Sequence, residues 1–243
     1  KESKKQNTND NKPIFKIIED NSESNTEEST DKSNRLKLAI KNNKFHYSAN
    51  LNSKNQEHSI TYGEYVKDRF GVEKSAIFLD GISDFIEIDN LVVLNPKKEI
   101  TISIWYKPES FRGIGLNSVV WKGFDTSDKP YCQYFITVTG NKYPNREASF
   151  KFGLSINGKF QNVKTPKNTW YPENWYNITG TYNGKKMKIY VNGNLHGERK
   201  ISGEIDNYNS TMLIGKSPHQ EYYTPGKFDD LRIYDRALNP KEI

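Results

Sequence analysis

Short runs in which apolar and polar residues alternate restrict the fold of this chain more than any other feature. From Ile100 to Tyr106 every second residue is Ile or Tyr, and Thr, Ser and Trp stand between them. From Lys186 to Val191, Met, Ile and Val alternate with Lys and Tyr. A period of two places one side of a strand in a core and the other side elsewhere. Further strands are predicted at 75–79, 85–89, 118–122, 134–139, 149–156, 175–182, 212–214 and 228–234.

Asn-Gly pairs separate several of these runs. They occur at Asn157-Gly158, Asn183-Gly184 and Asn192-Gly193, and this pair is typical of tight two-residue hairpins, which need positive φ. No helical pattern supplies the crossovers that parallel strands require. The sequence therefore predicts an all-β fold, in which two antiparallel sheets pack face to face as a jelly-roll β-sandwich.

The N-terminal segment has a different composition. The stretch Glu19 to Asn34 has no aliphatic or aromatic residue, so it cannot bury enough apolar surface to offset its ordering entropy. We predict a disordered polar tether at 1–35, followed by one domain at 36–243. Ile14, Phe15, Ile17 and Ile18 interrupt the polar segment, and either dock or form a short frayed segment. A simple interdomain linker is the alternative.

Charge and hydropathy exclude some classes of partner. The net charge is +6, but its lysines are scattered and form no dense basic stripe, so we expect no nucleic-acid binding and at most a weak preference for anionic polymers. No apolar run reaches the roughly 18 residues of a membrane helix, so no transmembrane segment is expected in this chain. Cys132 is the single cysteine, and we interpret it as a small buried residue.

A set of ordered blocks resembles laminin G-like domains of the concanavalin A-like kind. The blocks are Asp68–Gly71, Ser75–Gly81, Asp84–Ile88, Thr101–Pro108, Trp175–Tyr182, Ile189–Gly193 and Gly226–Leu238 with the closing Glu242–Ile243. The resemblance implies the jelly-roll sandwich, but that fold hosts lectins, adhesion modules and enzymes alike. One departure is Gly226-Lys227-Phe228, which stands where the family usually has Phe-x-Gly, so the local loop geometry is expected to differ.

Four carboxylates form the first candidate site. Asp80 and Asp84 flank a glycine turn, and Asp229 and Asp230 lie on a late strand. The first and last strands of such sandwiches often neighbour each other, and carboxylate oxygens suit Ca²⁺. The resemblance likewise implies one structural calcium near these blocks. The alternative is that Asp80 only forms a turn, while Asp229 and Asp230 accept backbone hydrogen bonds or pair with Arg232.

Aromatic residues in loops form the second candidate site. Exposed aromatic rings on a rigid scaffold are surfaces on which sugar rings stack. The candidates are Trp170, Tyr171, Tyr222, Tyr223 and Trp121. The alternative is that each of them packs over a sheet edge. We assign Trp105 and Trp175 to structural packing because both belong to the blocks that carry the resemblance.

Catalytic patterns are incomplete. Sandwich glucanases use a Glu-x-Asp-x-x-Glu strand; the runs at 87–89 and 204–206 begin this way, but the second Glu is Val at 92 and Asn at 209. The four histidines are isolated, and no nucleophile elbow, zinc spacing or phosphate loop is present. We therefore expect no enzyme activity.

The sequence thus favours a non-catalytic, extracellular carbohydrate-binding module of a surface or secreted protein. Its expected partner is a glycan or polysaccharide, and a lipid anchor carried by a removed leader is one way of attachment. The alternatives are a protein–protein adhesion module and a glycan-cleaving enzyme. An apolar patch without a sugar-sized groove would favour the first alternative, and acids converging in a groove would favour the second.

Overall fold

A computed structural model describes residues 17–18, 35–38, 40–41, 44–45, 59–110, 116–124, 132–142, 145–218 and 222–243. These residues form eighteen strands and one short 3₁₀ helix at Val92–Leu94. The strands are β1 (Ile17–Ile18), β2 (Arg35–Leu38), β3 (Ile40–Lys41), β4 (Lys44–Phe45), β5 (Ser59–Thr61), β6 (Glu64–Val66), β7 (Ala76–Leu79), β8 (Ile86–Ile88), β9 (Ile100–Lys107), β10 (Leu116–Gly123), β11 (Cys132–Lys142), β12 (Asn145–Ile156), β13 (Lys159–Lys164), β14 (Tyr176–Tyr182), β15 (Lys186–Val191), β16 (Asn194–Lys200), β17 (Met212–Ile214) and β18 (Gly226–Tyr234). The predicted all-β class is confirmed.

Two antiparallel sheets make up the sandwich. One has nine strands in the order β1-β2-β18-β9-β14-β15-β16, with β7 paired to β18 and β6 paired to β7. The other has seven strands in the order β13-β12-β11-β10-β17-β8-β5. Strand β18 pairs with β2, β7 and β9, so the last strand lies beside an early one, as the sequence predicted. Strands β3 and β4 form a small separate ribbon.

The core lies between the two sheets. In β9 the buried residues include Ile102, Ile104 and Tyr106, and from the facing sheet come residues such as Phe150 and Phe152. The alternation seen in the sequence thus marks the side of each strand that is removed from water. The opposite side of β9 carries Ser103 and Trp105, which are only partly buried.

Two of the three Asn-Gly pairs form the predicted two-residue hairpins. Asn157 and Gly158 have φ of 49° and 69°, and Asn192 and Gly193 have φ of 50° and 79°, as a type I′ turn requires. The third differs, because three residues separate β14 from β15. There the Asn183 side chain accepts the backbone N–H of Lys186 at 2.9 Å and replaces the tighter turn.

Strands β13 and β16 are the second strands of the two predicted Asn-Gly hairpins, and each is an edge strand whose residues are mostly polar. The two meet at one side of the sandwich, although they belong to different sheets. A Cβ added to Gly197 would lie 2.7 Å from the Lys164 carbonyl oxygen, and Arg199 donates to the Asn162 carbonyl at 3.3 Å. The absence of a side chain at Gly197 lets the two sheets close along this side.

The tether predicted at 1–35 falls outside the described residues, except for Ile17–Ile18 and Arg35. Ile17–Ile18 pairs with β2, which agrees with the docking alternative for these apolar residues. The tether itself stays a prediction.

Candidate functional site

The outer face of the nine-stranded sheet carries a row of polar side chains and one tryptophan. The strand register places Trp105 between Asp229 and Asn177. One step along the strands, Ser103 lies between Arg232 and Thr179. Because these residues alternate with core residues, they share the face that points away from the core.

A pocket of about 400 Å³ opens on this face. Its floor comes from strands β9, β14 and β18, and its sides come from three projecting parts of the chain. The lining residues are Arg69, Ser103, Trp105, Asn177, Thr179, Asn192, Gly193, Asp230, Arg232, Tyr234, Leu238, Glu242 and Ile243. We call this the outer-face pocket.

Three side chains on the floor form a hydrogen-bonded strip. The Asn177 amide donates to Ser103 Oγ at 3.1 Å. The Thr179 hydroxyl lies 2.9 Å from Ser103 Oγ and 2.9 Å from Asn177 Oδ1. Because each group stands on a paired strand, the strip is held in one arrangement. Ser103 and Asn177 are partly exposed on it, and Thr179 is buried beneath them.

Arg69 covers one side of Trp105 and links two carboxylates. Its guanidinium carbon lies 4.6 Å from the Trp105 ring centroid, a cation–π arrangement. The same guanidinium donates to Asp229 and, at 3.2 Å, to Asp230. Arg232 donates to Asp230 at 2.6 Å. Two arginines and two aspartates therefore form one network beside the tryptophan.

A β-bulge shapes this network. The pairing of β18 with β9 shifts between Asp229 and Arg232, and Asp230 adopts φ of 53°. A bulge re-aims side chains next to the regular ladder. Here it brings Asp229 and Asp230, which are neighbours in sequence, to the same guanidinium.

Burial changes the protonation behaviour of Asp229. Removal from water raises the pKa of its carboxyl to about 7; the Arg69 charge opposes this rise, and the Asp230 and Asp68 charges add to it. For Arg232, burial alone would lower the pKa, but the Asp230 carboxylate outweighs it and raises that pKa. Asp229 is therefore a carboxyl that titrates near neutral pH at the side of the pocket.

The calcium candidates form two separate pairs rather than one cluster. Asp80 Oδ1 accepts backbone N–H groups of Ile82, Ser83 and Asp84 at 2.8, 2.9 and 3.0 Å, which are the contacts that the turn alternative expects. Burial would raise the pKa of Asp80, but these backbone hydrogen bonds outweigh burial and lower it. The pKa of Asp84 is raised by burial and by the Asp80 charge.

The expected convergence of all four aspartates is wrong in this structure. Leu79, just before Asp80, pairs with Gly226, whereas Asp229 pairs with Trp105, three residues or about 10 Å farther along β18. Asp229 and Asp230 are also already paired with arginines. In the described part of the chain, no group of three or more His, Cys, Asp or Glu is placed to hold a metal ion. These residues do not fit one shared calcium site, and whether either pair alone binds calcium is a matter for a melting experiment.

Two of the aromatic candidates are buried, so their rings are not available for stacking on a ligand. Trp170 is 0% exposed and donates from Nε1 to the Thr139 carbonyl at 3.0 Å. Trp121 is 5% exposed, and its ring stacks on Phe135 at 4.9 Å. For both, the packing alternative describes the structure: large aromatic surfaces are covered by neighbouring side chains.

The tyrosine candidates lie at one end of the sandwich. Tyr171 and Tyr222 are each 53% exposed, and the Tyr223 ring lies 6.2 Å from Phe85 with Lys216 Nζ 5.2 Å above it. The Tyr223 carbonyl accepts Asn117 Nδ2 at 2.6 Å, at the start of β10. Glu173, two residues after Tyr171, donates its N–H to Pro108 at the end of β9. The loops therefore share a rim, while the outer-face pocket lies on the sheet.

Trp105 is the main residue whose position sequence reasoning missed. Its assignment to packing alone is incomplete, because its side chain lines the outer-face pocket. The signal was present: Trp105 alternates with Ile104 and Tyr106, so it lies on the face opposite the core. The same period places Asn177 and Thr179 outward. No local signal identifies Arg69, which reaches the pocket from the connection between β6 and β7.

The structure also bears on the single cysteine and on membrane-spanning helices. Cys132 is fully buried, and burial raises the pKa of its thiol to about 12, as expected for a packing residue. No helix in the described segments has the length and apolar character needed to cross a membrane.

Solved structures with the same architecture include two domains of different origin. The receptor binding domain of botulinum neurotoxin C/D mosaic serotype superposes with a TM-score of 0.62 at 15% identity, over 85% of this chain and 49% of that one. Domain 4 of AbnA, an extracellular arabinanase from Geobacillus stearothermophilus solved with arabinotriose, gives 0.53 at 14% identity, over 86% and 85%. At these identities the similarity shows the fold.

Sequence comparison adds one relative and one family. A segment of 74 residues, 28% of this chain, is 35% identical to the human adhesion G-protein coupled receptor D1. This chain spans 8% of that receptor. The family model Laminin_G_3, described as the concanavalin A-like lectin/glucanases superfamily, matches residues 80–243. That range contains every strand of the outer-face pocket floor. The chain therefore belongs to the laminin G-like family of the concanavalin A-like lectin/glucanases superfamily.

Proposed function

We propose that this domain is a non-catalytic, extracellular carbohydrate-binding module that holds its glycan in the outer-face pocket. The observation that carries the proposal is the position of Trp105 beside the strip of Ser103, Asn177 and Thr179. Small-molecule sites combine an apolar or aromatic surface with a few fixed polar groups. A sugar presents an apolar ring face and a rim of hydroxyls, which this combination complements.

The relatives support the same class of partner. The family is described by its lectins and glucanases, and one structural neighbour was solved with a bound arabinotriose. Another structural neighbour is a receptor binding domain of a neurotoxin. An extracellular setting agrees with the named adhesion receptor and extracellular arabinanase.

The carboxylates near the pocket argue for binding without cleavage. Glycoside hydrolysis needs two carboxyl groups on opposite sides of the scissile bond. Asp229 and Asp230 are sequence neighbours that share Arg69, and Glu242, which also lines the pocket, is held by both Nη atoms of Arg236. Each of these carboxylates is therefore paired with an arginine, which favours binding over cleavage. At the incomplete glucanase pattern, both oxygens of Asp206 accept the Gly158 N–H at 3.1 and 2.8 Å, which gives that carboxylate a structural role.

The first test compares Trp105→Ala with the unchanged chain on a glycan array. We expect the variant to lose about tenfold or more in affinity, because it removes the stacking surface. Trp105→Phe is the matched control and should retain most binding. Equal binding by Trp105→Ala and the unchanged chain would exclude the outer-face pocket, and release of reducing ends from a polysaccharide panel would contradict the non-catalytic proposal.

The rim tyrosines keep their place as candidates for a second contact. Tyr171→Ala and Tyr222→Ala on the same array separate the two locations, since a rim site predicts loss in these variants and none in Trp105→Ala. Protein adhesion is the alternative function, and the exposed rim residues Tyr62, Ile82 and Tyr222 favour it. Absence of glycan binding, together with capture of a specific protein that Tyr222→Ala no longer binds, would support adhesion.

A further inference from the structure

We propose that the outer-face pocket receives the end of a neutral glycan chain rather than a stretch of its interior. This inference rests on the proposed function and concerns the part of the glycan that enters. Three features carry it: a fixed wall at one side, two further projections around the floor, and charges that are paired within the protein.

The wall is built by the C-terminal segment of residues 236–243, which supplies Leu238, Glu242 and Ile243 to the pocket lining. Backbone and side-chain hydrogen bonds anchor it to the start of β9. The Leu238 N–H donates to Thr101 Oγ1 at 2.9 Å, and Thr101 Oγ1 donates to the Arg236 carbonyl at 2.8 Å. The segment is therefore attached at the end of the floor that Thr101 marks.

A turn within the same segment makes the wall rigid. Glu242 accepts Arg236 Nη1 at 3.0 Å and Nη2 at 2.7 Å, a bidentate pair. It also accepts the Asn239 N–H at 2.8 Å. Because one carboxylate holds both the start and the middle of the segment, residues 236–242 form a closed loop rather than a free tail.

Two other projections border the floor. Arg69 stands beside Trp105, where Asp229 and Asp230 hold its guanidinium. The β15–β16 turn contributes Asn192 and Gly193, and Asn192 Oδ1 accepts the Asn177 N–H at 2.8 Å. A polymer that lies across the floor would have to pass one of these projections and the wall. The end of a glycan chain needs only one entrance, because it does not have to leave the pocket on another side.

The pocket volume agrees with a short occupant. At about 400 Å³ it lies near the lower limit of small-molecule pockets, roughly 300–1,000 Å³. A groove for an extended polymer would continue along the sheet, whereas here the lining ends at the C-terminal wall. The size therefore favours one terminal sugar and part of the next.

The charges of the lining point to a neutral ligand. Arg69 and Arg232 are hydrogen-bonded to Asp229 and Asp230, and Glu242 is hydrogen-bonded to Arg236, so each charged side chain of the lining has a partner within the protein. Paired charges offer directed hydrogen bonds but little net field. An acidic sugar would compete with these carboxylates for the arginines, whereas a neutral sugar can use the hydroxyl and amide strip without breaking any pair.

The test measures the affinity of the full chain for oligosaccharide ladders. Ladders of glucose, mannose, xylose and arabinose units, from one to six units long, are compared by calorimetry with their parent polymers. We expect the affinity for the best ladder to stop rising after two or three units, with less than about twofold gained from each later unit. The polymer should compete in proportion to its number of chain ends. Raising the salt from low to high concentration should change the affinity by less than about twofold.

The outcomes separate this inference from the proposed function. Binding whose affinity rises through the sixth unit, or a polymer that competes in proportion to its mass, keeps the glycan-binding function and overturns end recognition. Preference for a uronic-acid polymer with strong salt dependence overturns the neutral class. Failure of every ladder and polymer to bind overturns both proposals.

A wall variant gives an independent check. Leu238→Ala combined with Ile243→Ala shortens the wall, and we expect polymer binding to improve by about threefold or more relative to the two-unit ligand. Val92→Ala is the control, because Val92 is 92% exposed and lies outside the pocket. An unchanged ratio in the folded wall variant would contradict the role of the wall.

Discussion

At the scale of single residues, the site depends on pairs that no local sequence pattern reveals. Arg69 and Asp229 are separated by 160 positions, and only the folded sheet brings them together. The outward direction of Trp105 was readable from the alternation in β9, but the resemblance assigned it to packing. Asp80 was readable as a turn residue, because an Asp that accepts backbone N–H groups two to four residues ahead is a local device.

Asp229 gives a residue-scale prediction about pH. Its folded-state pKa of about 7 lies above the ordinary carboxyl value of 3.8, so the folded chain holds this proton more tightly than the unfolded chain. The resulting stability is fully present below the unfolded pKa and is lost as pH rises through about 7. We expect Asp229→Asn to reduce this loss between pH 4 and pH 7, since Asn cannot ionise. Urea unfolding at a series of pH values measures the change.

The control for that experiment is Glu73→Gln, because Glu73 is an exposed partner of Lys67 and should leave the pH profile unchanged. An identical pH slope in the unchanged chain and in Asp229→Asn would show that the Asp229 carboxyl titrates in the folded chain as it does in the unfolded chain.

At the scale of elements, the sequence predicted the positions of the regular strands better than it predicted the edge strands and the local departures from the family pattern. Strands with alternating apolar residues were predicted with their bounds, while β13 and β16 were indicated only by the Asn-Gly turns before them, because the residues of these edge strands are mostly polar. The departure at Gly226-Lys227-Phe228 has a structural reason. Gly226 begins β18 with φ of 144°, and a Cβ there would lie 2.6 Å from the Lys107 carbonyl oxygen. The close approach of β18 to β9 thus requires glycine at this position.

Gly226→Ala is the corresponding prediction. We expect it to destabilise the domain by about 2–3 kcal/mol, because the backbone strain adds to a steric clash with β9. Gly193→Ala is the matched control: its φ is also positive, at 79°, but a Cβ would meet nothing within 4 Å, so about 1 kcal/mol is expected. Chemical denaturation of both variants gives the comparison, and equal losses would mean that the clash with β9 is relieved.

At the scale of the whole molecule, the sandwich follows from the sequence, but the pocket does not. Turn residues and strand periodicity specify two antiparallel layers, and the order of blocks specifies the family. The pocket needs β9, β14, β18, the β6–β7 connection and the C-terminal segment at once. Its geometry depends on register and on one bulge, and neither is encoded by residue type alone.

The effect of calcium on the stability of the whole domain tests the metal site that the sequence suggested. A ligand that binds only the folded state must raise the melting temperature. Because Asp80 and Asp84 are engaged with backbone N–H groups, and Asp229 and Asp230 with arginines, we expect less than about 2 °C difference between calcium and EDTA. Differential scanning calorimetry in both conditions measures this. A clearly lower melting temperature in EDTA than in calcium, with no such difference in Asp84→Asn, would instead establish a calcium site at the Asp80–Asp84 turn.

The close contact between β13 and β16 makes the sandwich mechanically asymmetric. On that side Gly197 lets one layer rest against the backbone of the other, while the opposite side carries β5 and β6, each only three residues long. Under tension, the layers should begin to part at the short strands. The strands that hold Trp105 and Asn177 lie between the two sides, so a domain pulled on its surface would keep β9 and β14 paired after its weaker margin has opened.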